Sequence, residues 1–161
     1  MSKLKIKKII SKKDLTNISF LKKPIVFVPM ALDLLHYGHI RILKKSKKLG
    51  TVVVGLMTDK GLKSYKRNPI FTYKLRKEIL EEIKSVDYII PLNGIIYSEI
   101  SKLIKPDYFV HGTDWKKGNQ KYERKKLIEQ SKLWGGKIVE FSYTKGISST
   151  NIIKILLKDE E

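Results

Sequence analysis

The sequence predicts an α/β domain with a doubly wound, five-stranded parallel sheet, and three observations carry that prediction. Short β-branched and aromatic runs recur along the chain, as buried strands do. Stretches with apolar residues at helical spacing separate them, so strand and helix alternate throughout. The first such strand–helix–strand set reads as a βαβ unit, which implies parallel pairing through a right-handed crossover.

Taken in order, residues 1–23 are a basic, loosely amphipathic stretch, read as a solvated extension to a domain spanning 24–161. Ile25-Val26-Phe27-Val28 is the first strand. Residues 40–49 carry apolar positions at helical spacing and stop at Gly50, as helices often do. Residues 51–57 form the second strand, and Gly61 to Pro69 a basic loop. Thr72 can cap a helix over 73–84, with Leu75, Ile79, Leu80 and Ile83 on one face. The third strand covers 86–91, followed by a helix over 98–104 that Pro106 ends. Residues 107–110 are the fourth strand and run into His111-Gly112-Thr113-Asp114-Trp115. A helix over 122–133 closes at Gly135-Gly136, residues 137–141 form the fifth strand, and a last helix covers about 151–157.

Composition narrows the function classes. A chain of 161 residues fits one domain, and 42% hydrophobic content suffices for a core. The absence of cysteine excludes disulfides and thiolate metal sites. No apolar run approaches the roughly 18 residues of a membrane span. The N-terminus alternates Lys with Ile and Leu, unlike a secretory signal. A cytoplasmic protein without a membrane span is expected. The formal charge is +18, and Arg41, Arg67, Arg76 and Arg124 are the only arginines. Such a surface concentrates anionic ligands. It lacks the motif or clustered aromatics of a nucleic-acid reader, so no specific nucleic-acid partner is expected.

All strand C-termini of a parallel sheet open on one edge, where such sheets bind ligands. The loops there carry His36 and His39; Asp59 with Lys63 and Lys66; His111, Asp114 and Trp115; and Lys145, Ser148 and Ser149. His36 and His39 lie at one helix start, and Ser148-Ser149-Thr150 at another. Helix N-termini present free N–H groups to anions. Two of them beside imidazoles and lysines fit a polyphosphate, whose charge must be neutralised as a bond to phosphorus breaks. Each residue also has a structural use. His36, His39 and His111 could form an open zinc site, although the lysines around them would repel a cation, so no metal ligand is assigned. Asp33, Ser148 and Ser149 are good helix caps. Trp115 can be a core aromatic, and Lys63 and Lys66 solvated charges. No P-loop, no G-x-G-x-x-G and no Ser-His-Asp order occurs.

His36-Tyr37-Gly38-His39 matches the H-x-G-H signature of the nucleotidyltransferase superfamily, and Gly146-Ile147-Ser148-Ser149 resembles its second signature, G-I-S-T. Over about residues 24–157 the chain resembles the small cytidylyltransferases that act on glycerol 3-phosphate, phosphocholine or phosphoethanolamine. Asp33, Arg76 and Gly112-Thr113-Asp114-Trp115 support the likeness. Ser64-Tyr65-Lys66-Arg67, His111-Gly112 with Asp114-Trp115, and residues 143–150 further resemble the cytidylyltransferase-like domain linked to phosphoenolpyruvate mutase. That domain occurs in phosphonate pathways, where the acceptor can be 2-aminoethylphosphonate.

The resemblance implies a Rossmann-like nucleotidyltransferase fold that transfers CMP from CTP to a small phosphorylated or phosphonate acceptor, with release of pyrophosphate. Mg2+ is the implied cofactor, and a homodimer the implied assembly. His36 and His39 would contact the CTP phosphates, and Gly38 would leave room for their approach. Lys66, with Lys63, would bridge the α-phosphate and the acceptor. Arg76, Asp114 and Trp115 would lie on the nucleoside side. Ser148 and Ser149 would hold the β- and γ-phosphates beside Lys145 and Gly146, and Asp33 and Asp59 would face the acceptor or its metal. The chain departs from the family at Tyr143, where many members have Arg, at Thr113, where an acidic residue is common, and at Met30, often Gly. An ATP-dependent adenylyltransferase of the same fold and a non-catalytic CTP-binding protein are the alternatives.

Overall fold

The computed structural model describes residues 8–11, 14–142 and 144–158; the expectations placed on residues 1–7 and on Tyr143 lie outside the described residues. Five strands fall where the patterning puts them: β2 (Ile25–Met30), β3 (Thr51–Met57), β4 (Tyr88–Leu92), β5 (Tyr108–Gly112) and β6 (Lys137–Phe141). A two-residue strand, β1 (Lys8–Ile9), adds a sixth at the edge. The spatial order is β1-β4-β3-β2-β5-β6, and every pairing is parallel. The chain winds from β2 towards one edge through β3 and β4, then returns to add β5 and β6 on the other side. The winding reverses at β2, and ligands of such sheets bind beyond the strand ends at that reversal.

Helices α1 (Tyr37–Lys47), α3 (Tyr73–Glu81), α4 (Tyr97–Ile104) and α5 (Lys121–Ser131) cover the two faces. The strands bury residues on both faces, which is why they are continuous apolar runs. Along β2, Ile25 and Phe27 join the core shared with Ile100 and Ile104 of α4 and Leu127 of α5. Val26 and Val28 join the core shared with Leu43 of α1 and Leu80 of α3. Ile10, Leu15 and Leu21 are buried in the first of these cores, which corrects the reading of the N-terminal extension as solvated over these residues. Their spacing carries no helix or strand period, so only packing reveals them.

Boundaries shift where local hydrogen bonding decides them. α1 starts at Tyr37 because His36 caps it, and α6 covers Ser149–Lys158. Just before the predicted basic loop, Thr58 accepts a hydrogen bond from Gly61 N and nucleates the one-turn helix α2 (Asp59–Lys63), which runs into the loop. Ile155, Leu156 and Leu157 of α6 are exposed. Among the described residues no helix is long and apolar enough to cross a membrane.

Arg76 is the largest polar side chain buried in the core among the described residues. Its side chain is fully buried. Nε donates to the Phe71 carbonyl at 2.9 Å, and Nη1 to the carbonyls of Ala31 and Met57 at 2.6 and 2.7 Å. Nη2 pairs with Asp59 at 2.8 Å. Arg76 follows Thr72, the cap of α3, by one turn and shares its inward face with Leu80. It therefore ties the ends of β2 and β3 to the start of α3. This corrects the expectation that Arg76 contacts a nucleoside, since its guanidinium is buried among these partners. Asp59, expected to face the acceptor, has Oδ1 on Arg76 and its side chain partly exposed. A buried guanidinium is tolerated only when its donors are matched, and truncating such a partner strands the rest. Arg76→Met is expected to lower the unfolding free energy by about 3–5 kcal/mol in a urea titration. A loss below about 1 kcal/mol would mean that water replaces the guanidinium.

Candidate functional site

The site begins with an unmet requirement of α1. The first turn of a helix has N–H groups without intrahelical acceptors. Here two imidazoles supply acceptors. His36 Nδ1 accepts from Gly38 N at 3.1 Å, and His39 Nδ1 accepts from His36 N at 3.3 Å, forming a capping box made of histidines. A nitrogen that accepts carries no proton, so each neutral ring has its proton on Nε2. The rings lie against one another, with centroids 3.9 Å apart. Gly38 makes this possible: a Cβ there would sit 2.9 Å from His36 Cε1.

Two cavities meet at the pair, and His36, His39, Lys66 and Ala31 line both. The first continues over Met30, Gly38, Tyr65, Tyr97, His111 and Asp114. The second continues over Asp33, Arg67, Ser148, Ser149 and Thr150. The N-terminus of α6 thus faces the histidines across the second cavity, and Ser148 caps it by accepting from Asn151 N at 3.1 Å. Lys145 and Gly146 line an adjoining shallow groove with Ser148 and Thr150. Gly146 has φ +80°, the left-handed turn that leads the chain into α6.

Several predicted residues sit elsewhere. Trp115 is buried behind the first cavity, parallel to His111 at 4.3 Å, so it backs the wall and does not line it. Lys63 is exposed on α2 and lines neither cavity. Asp33 is buried, and its carboxylate is already in use. Oδ1 accepts from the backbone N–H groups of Ile70 and Phe71 at 2.8 and 2.9 Å, and Oδ2 pairs with Arg67 at 2.7 Å. It fastens the 67–71 segment beside the cavity, which corrects its assignment to an acceptor or metal. Thr113 lines neither cavity, so its departure removes no side chain from them. Tyr65 and Arg67, to which the resemblance gave no role, and Tyr97 also line the cavities. Tyr97 has no sequence signal, because it reaches the site from the first turn of α4.

Burial lowers the pKa of His36. Burial, then the charges of His36 and Lys66, lower that of His39 to about 4. Burial pushes the Asp114 carboxyl up, but His111, its own backbone N–H and Lys66 outweigh it and leave it below the ordinary range. Burial first and Asp114 next push the Tyr65 phenol up to about 12. At neutral pH the junction of the cavities thus presents two neutral imidazoles as Nε2–H donors beside Lys66, and the first cavity adds the Asp114 carboxylate and the intact Tyr65 phenol. Such an array can bind and align an anion without itself losing protons.

Comparison with known proteins matches residues 31–155 to the cytidylyltransferase-like family, and the chain belongs to that family. It is 32% identical over 150 residues to the bifunctional protein HldE of Campylobacter fetus, an alignment covering 91% of this chain and 31% of that protein. The corresponding protein of Aliarcobacter butzleri is 35% identical over 144 residues, with 88% and 28% covered. The chain therefore spans about a third of the length of the curated relatives it matches. Among solved structures, a lipopolysaccharide core biosynthesis protein from Thermoplasma volcanium aligns with TM-score 0.59 and 29% identity, covering 76% of this chain and 98% of that one. A pantoate-β-alanine ligase from Francisella tularensis shares the fold at TM-score 0.60 and 18% identity, with 96% and 79% covered.

The histidine environment makes a pH prediction. The unfolded ring titrates near 6.5 and the folded His39 near 4, so between these values the unfolded chain binds more protons and stability falls as pH falls. In NMR titrations the His39 ring of the free protein is expected to titrate near pH 4, and inorganic tripolyphosphate to raise that midpoint. A midpoint near 6.5 without ligand would contradict the buried, neutral pair.

Proposed function

We propose that the protein transfers CMP from CTP to a phosphate or phosphonate oxygen of a small molecule. The observation that carries this is the pair of Nε2–H donors and Lys66 between two cavities, one of them closed by a helix N-terminus. The acceptor oxygen attacks the α-phosphorus, the bond from that phosphorus to the β-phosphate bridging oxygen breaks, and pyrophosphate leaves with the electron pair. The acceptor is already anionic, so no strong base is needed. What the site must do is align the reactants and stabilise the growing charge.

In this reading His36, His39 and Lys66 surround the reacting phosphoryl group, and Ser148, Ser149 and Arg67 receive the pyrophosphate. Tyr65, Tyr97, His111 and Asp114 surround the rest of the ligand. Aromatic rings beside a carboxylate suit a cation, which supports an acceptor bearing an ammonium group, such as 2-aminoethylphosphonate. Mg2+ suits the site as a partner of the triphosphate. Among the described residues no group of three His, Asp or Glu side chains could hold a metal ion, and Asp33 is committed to Arg67 and two N–H groups. Mg2+ is commonly bound through phosphate oxygens and few protein ligands, and no step is routed through it here.

A second reading is the ATP-dependent adenylyltransferase of the same fold, here with a sugar phosphate as acceptor; the likeness to a lipopolysaccharide core biosynthesis protein is what favours a saccharide. Pyrophosphate release separates the two. The assay compares CTP with ATP across 2-aminoethylphosphonate, glycerol 3-phosphate, phosphocholine, phosphoethanolamine and a sugar 1-phosphate. Release from CTP with a phosphonate or phosphoalcohol is expected. Release only from ATP with the sugar phosphate would replace the first reading with the second, and CTP binding without release under any pairing would make the protein a nucleotide binder.

In the productive pairing, His39→Ala is expected to reduce kcat by about 100- to 1,000-fold, the usual effect of removing one preorganised donor. Steady-state kinetics should show a much smaller change in KM for the nucleotide. Turnover within about tenfold of the unsubstituted protein would exclude His39 from the chemistry.

A further inference from the structure

The orientation of His111, in the wall of the first cavity, is held from three sides. It lies on β5 with its side chain 10% exposed. Nδ1 is 2.9 Å from the Gly112 carbonyl and 3.6 Å from Asp114 Oδ1. Both are acceptors, so Nδ1 carries the proton and the neutral ring keeps Nε2 as an acceptor. Among the described residues no hydrogen bond reaches Nε2. Its tautomer is therefore the reverse of that in His36 and His39, which offer Nε2–H.

Behind the ring lies Trp115, 1% exposed and parallel to His111 within 4° at 4.3 Å. A stacked pair can slide unless something pins it. Here the indole Nε1–H donates to Glu140 Oε1 at 2.7 Å. Arg124 Nε reaches the same oxygen at 2.6 Å, and Lys116 Nζ reaches Oε2 at 2.9 Å. The β5–β6 register pairs His111 directly with Glu140, so the strand that carries the ring adjoins the strand that carries its anchor. Burial raises the Glu140 carboxyl, but hydrogen bonds from Arg124, Lys116 and Trp115 outweigh it and hold it near 2. It is thus an ionised acceptor at any working pH.

We propose that Glu140, acting through the Trp115 indole, fixes His111 so that its Nε2 accepts an N–H of the bound ligand, making this trio the selector for amine-bearing ligands. The inference rests on the proposed nucleotidyl transfer. Asp114 lines the same cavity as a second acceptor, so a ligand group there gains by donating. A carbonyl oxygen has no hydrogen to give, and a hydroxyl offers one hydrogen and no positive charge where an ammonium offers three and a charge. Two sources supply such an N–H: the exocyclic amine of the nucleobase, or the ammonium group of the acceptor. Glu140 and Trp115 are positioning residues, and His111 is the contact.

Calorimetric titration tests this with two matched pairs, CTP against UTP and 2-aminoethylphosphonate against 2-hydroxyethylphosphonate. His111→Phe, which keeps a ring for the stack, and Glu140→Leu are each expected to weaken one amine-bearing ligand about tenfold, while its counterpart stays within about threefold. The selectivity ratio within the pair then collapses. Glu140→Gln keeps an oxygen acceptor for the indole and is expected to restore the ratio to within about threefold. A destabilised fold would weaken both members of a pair alike, so the ratio isolates positioning from stability. If Glu140→Leu does not fold, Trp115→Phe carries the test, since it retains the stack and lacks the N–H. A shift confined to CTP/UTP assigns the nucleobase, and one confined to the phosphonates assigns the acceptor. Either supports the relay. Ratios unmoved in His111→Phe, or moved there but not in Glu140→Leu or Trp115→Phe, overturn it. An unsubstituted protein that binds none of the four overturns the proposed function along with it.

Discussion

The first turn of a helix has more N–H groups than its own backbone can use, and the arrangement at α1 follows from that excess. In most helices a serine or aspartate oxygen takes up the slack. Here His36 and His39 do so with their Nδ1 atoms. The exchange has a chemical consequence: it sets the tautomer. Both rings are left with Nε2–H, which suits a developing negative charge, and both stay neutral because burial disfavours the imidazolium. Gly38 is small because the His36 ring folds back over it. One set of backbone contacts thus decides helix start, ring orientation and proton position together.

The charged residues nearby divide into those that hold the frame and those left for a ligand. Arg76 is surrounded by three carbonyls and Asp59, and Asp33 by two N–H groups and Arg67. Burying these charges is tolerable because each is paired with an opposite charge and hydrogen-bonded to backbone groups as well. Their effect is to fasten the end of β2 to β3 and to the 67–71 segment. Lys66 lines both cavities between these struts.

The two cavities differ in chemistry as well as position. The second has cations and a helix N-terminus, the surroundings of a phosphate chain. The first is walled by Tyr65, Tyr97 and His111, with Asp114 at its edge, the surroundings of something aromatic or cationic. His36, His39 and Lys66 lie where the two meet. A substrate with a charged tail and a recognised head would span both, and its scissile bond would fall between the histidines and Lys66.

The alternation of apolar strands with amphipathic helices determined the sheet, its parallel sense and the edge on which the site lies, because a period-based pattern is local and survives without tertiary information. The two signatures put His36, His39, Ser148 and Ser149 at two helix starts, and the fold brings the four to one cavity, since those helix starts are written into a few adjacent residues. Arg76, Asp33 and Trp115 were drawn to the same edge by their place in the chain. Only the folded structure turned them inward, where carbonyls, N–H groups and Glu140 satisfied them better than a ligand could. Tyr97 entered the site, and Ile10, Leu15 and Leu21 the core, through contacts between segments far apart in sequence. A side chain's neighbourhood is a property of packing. The local sequence sets where a residue begins, and tertiary contacts set what its polar atoms are free to do.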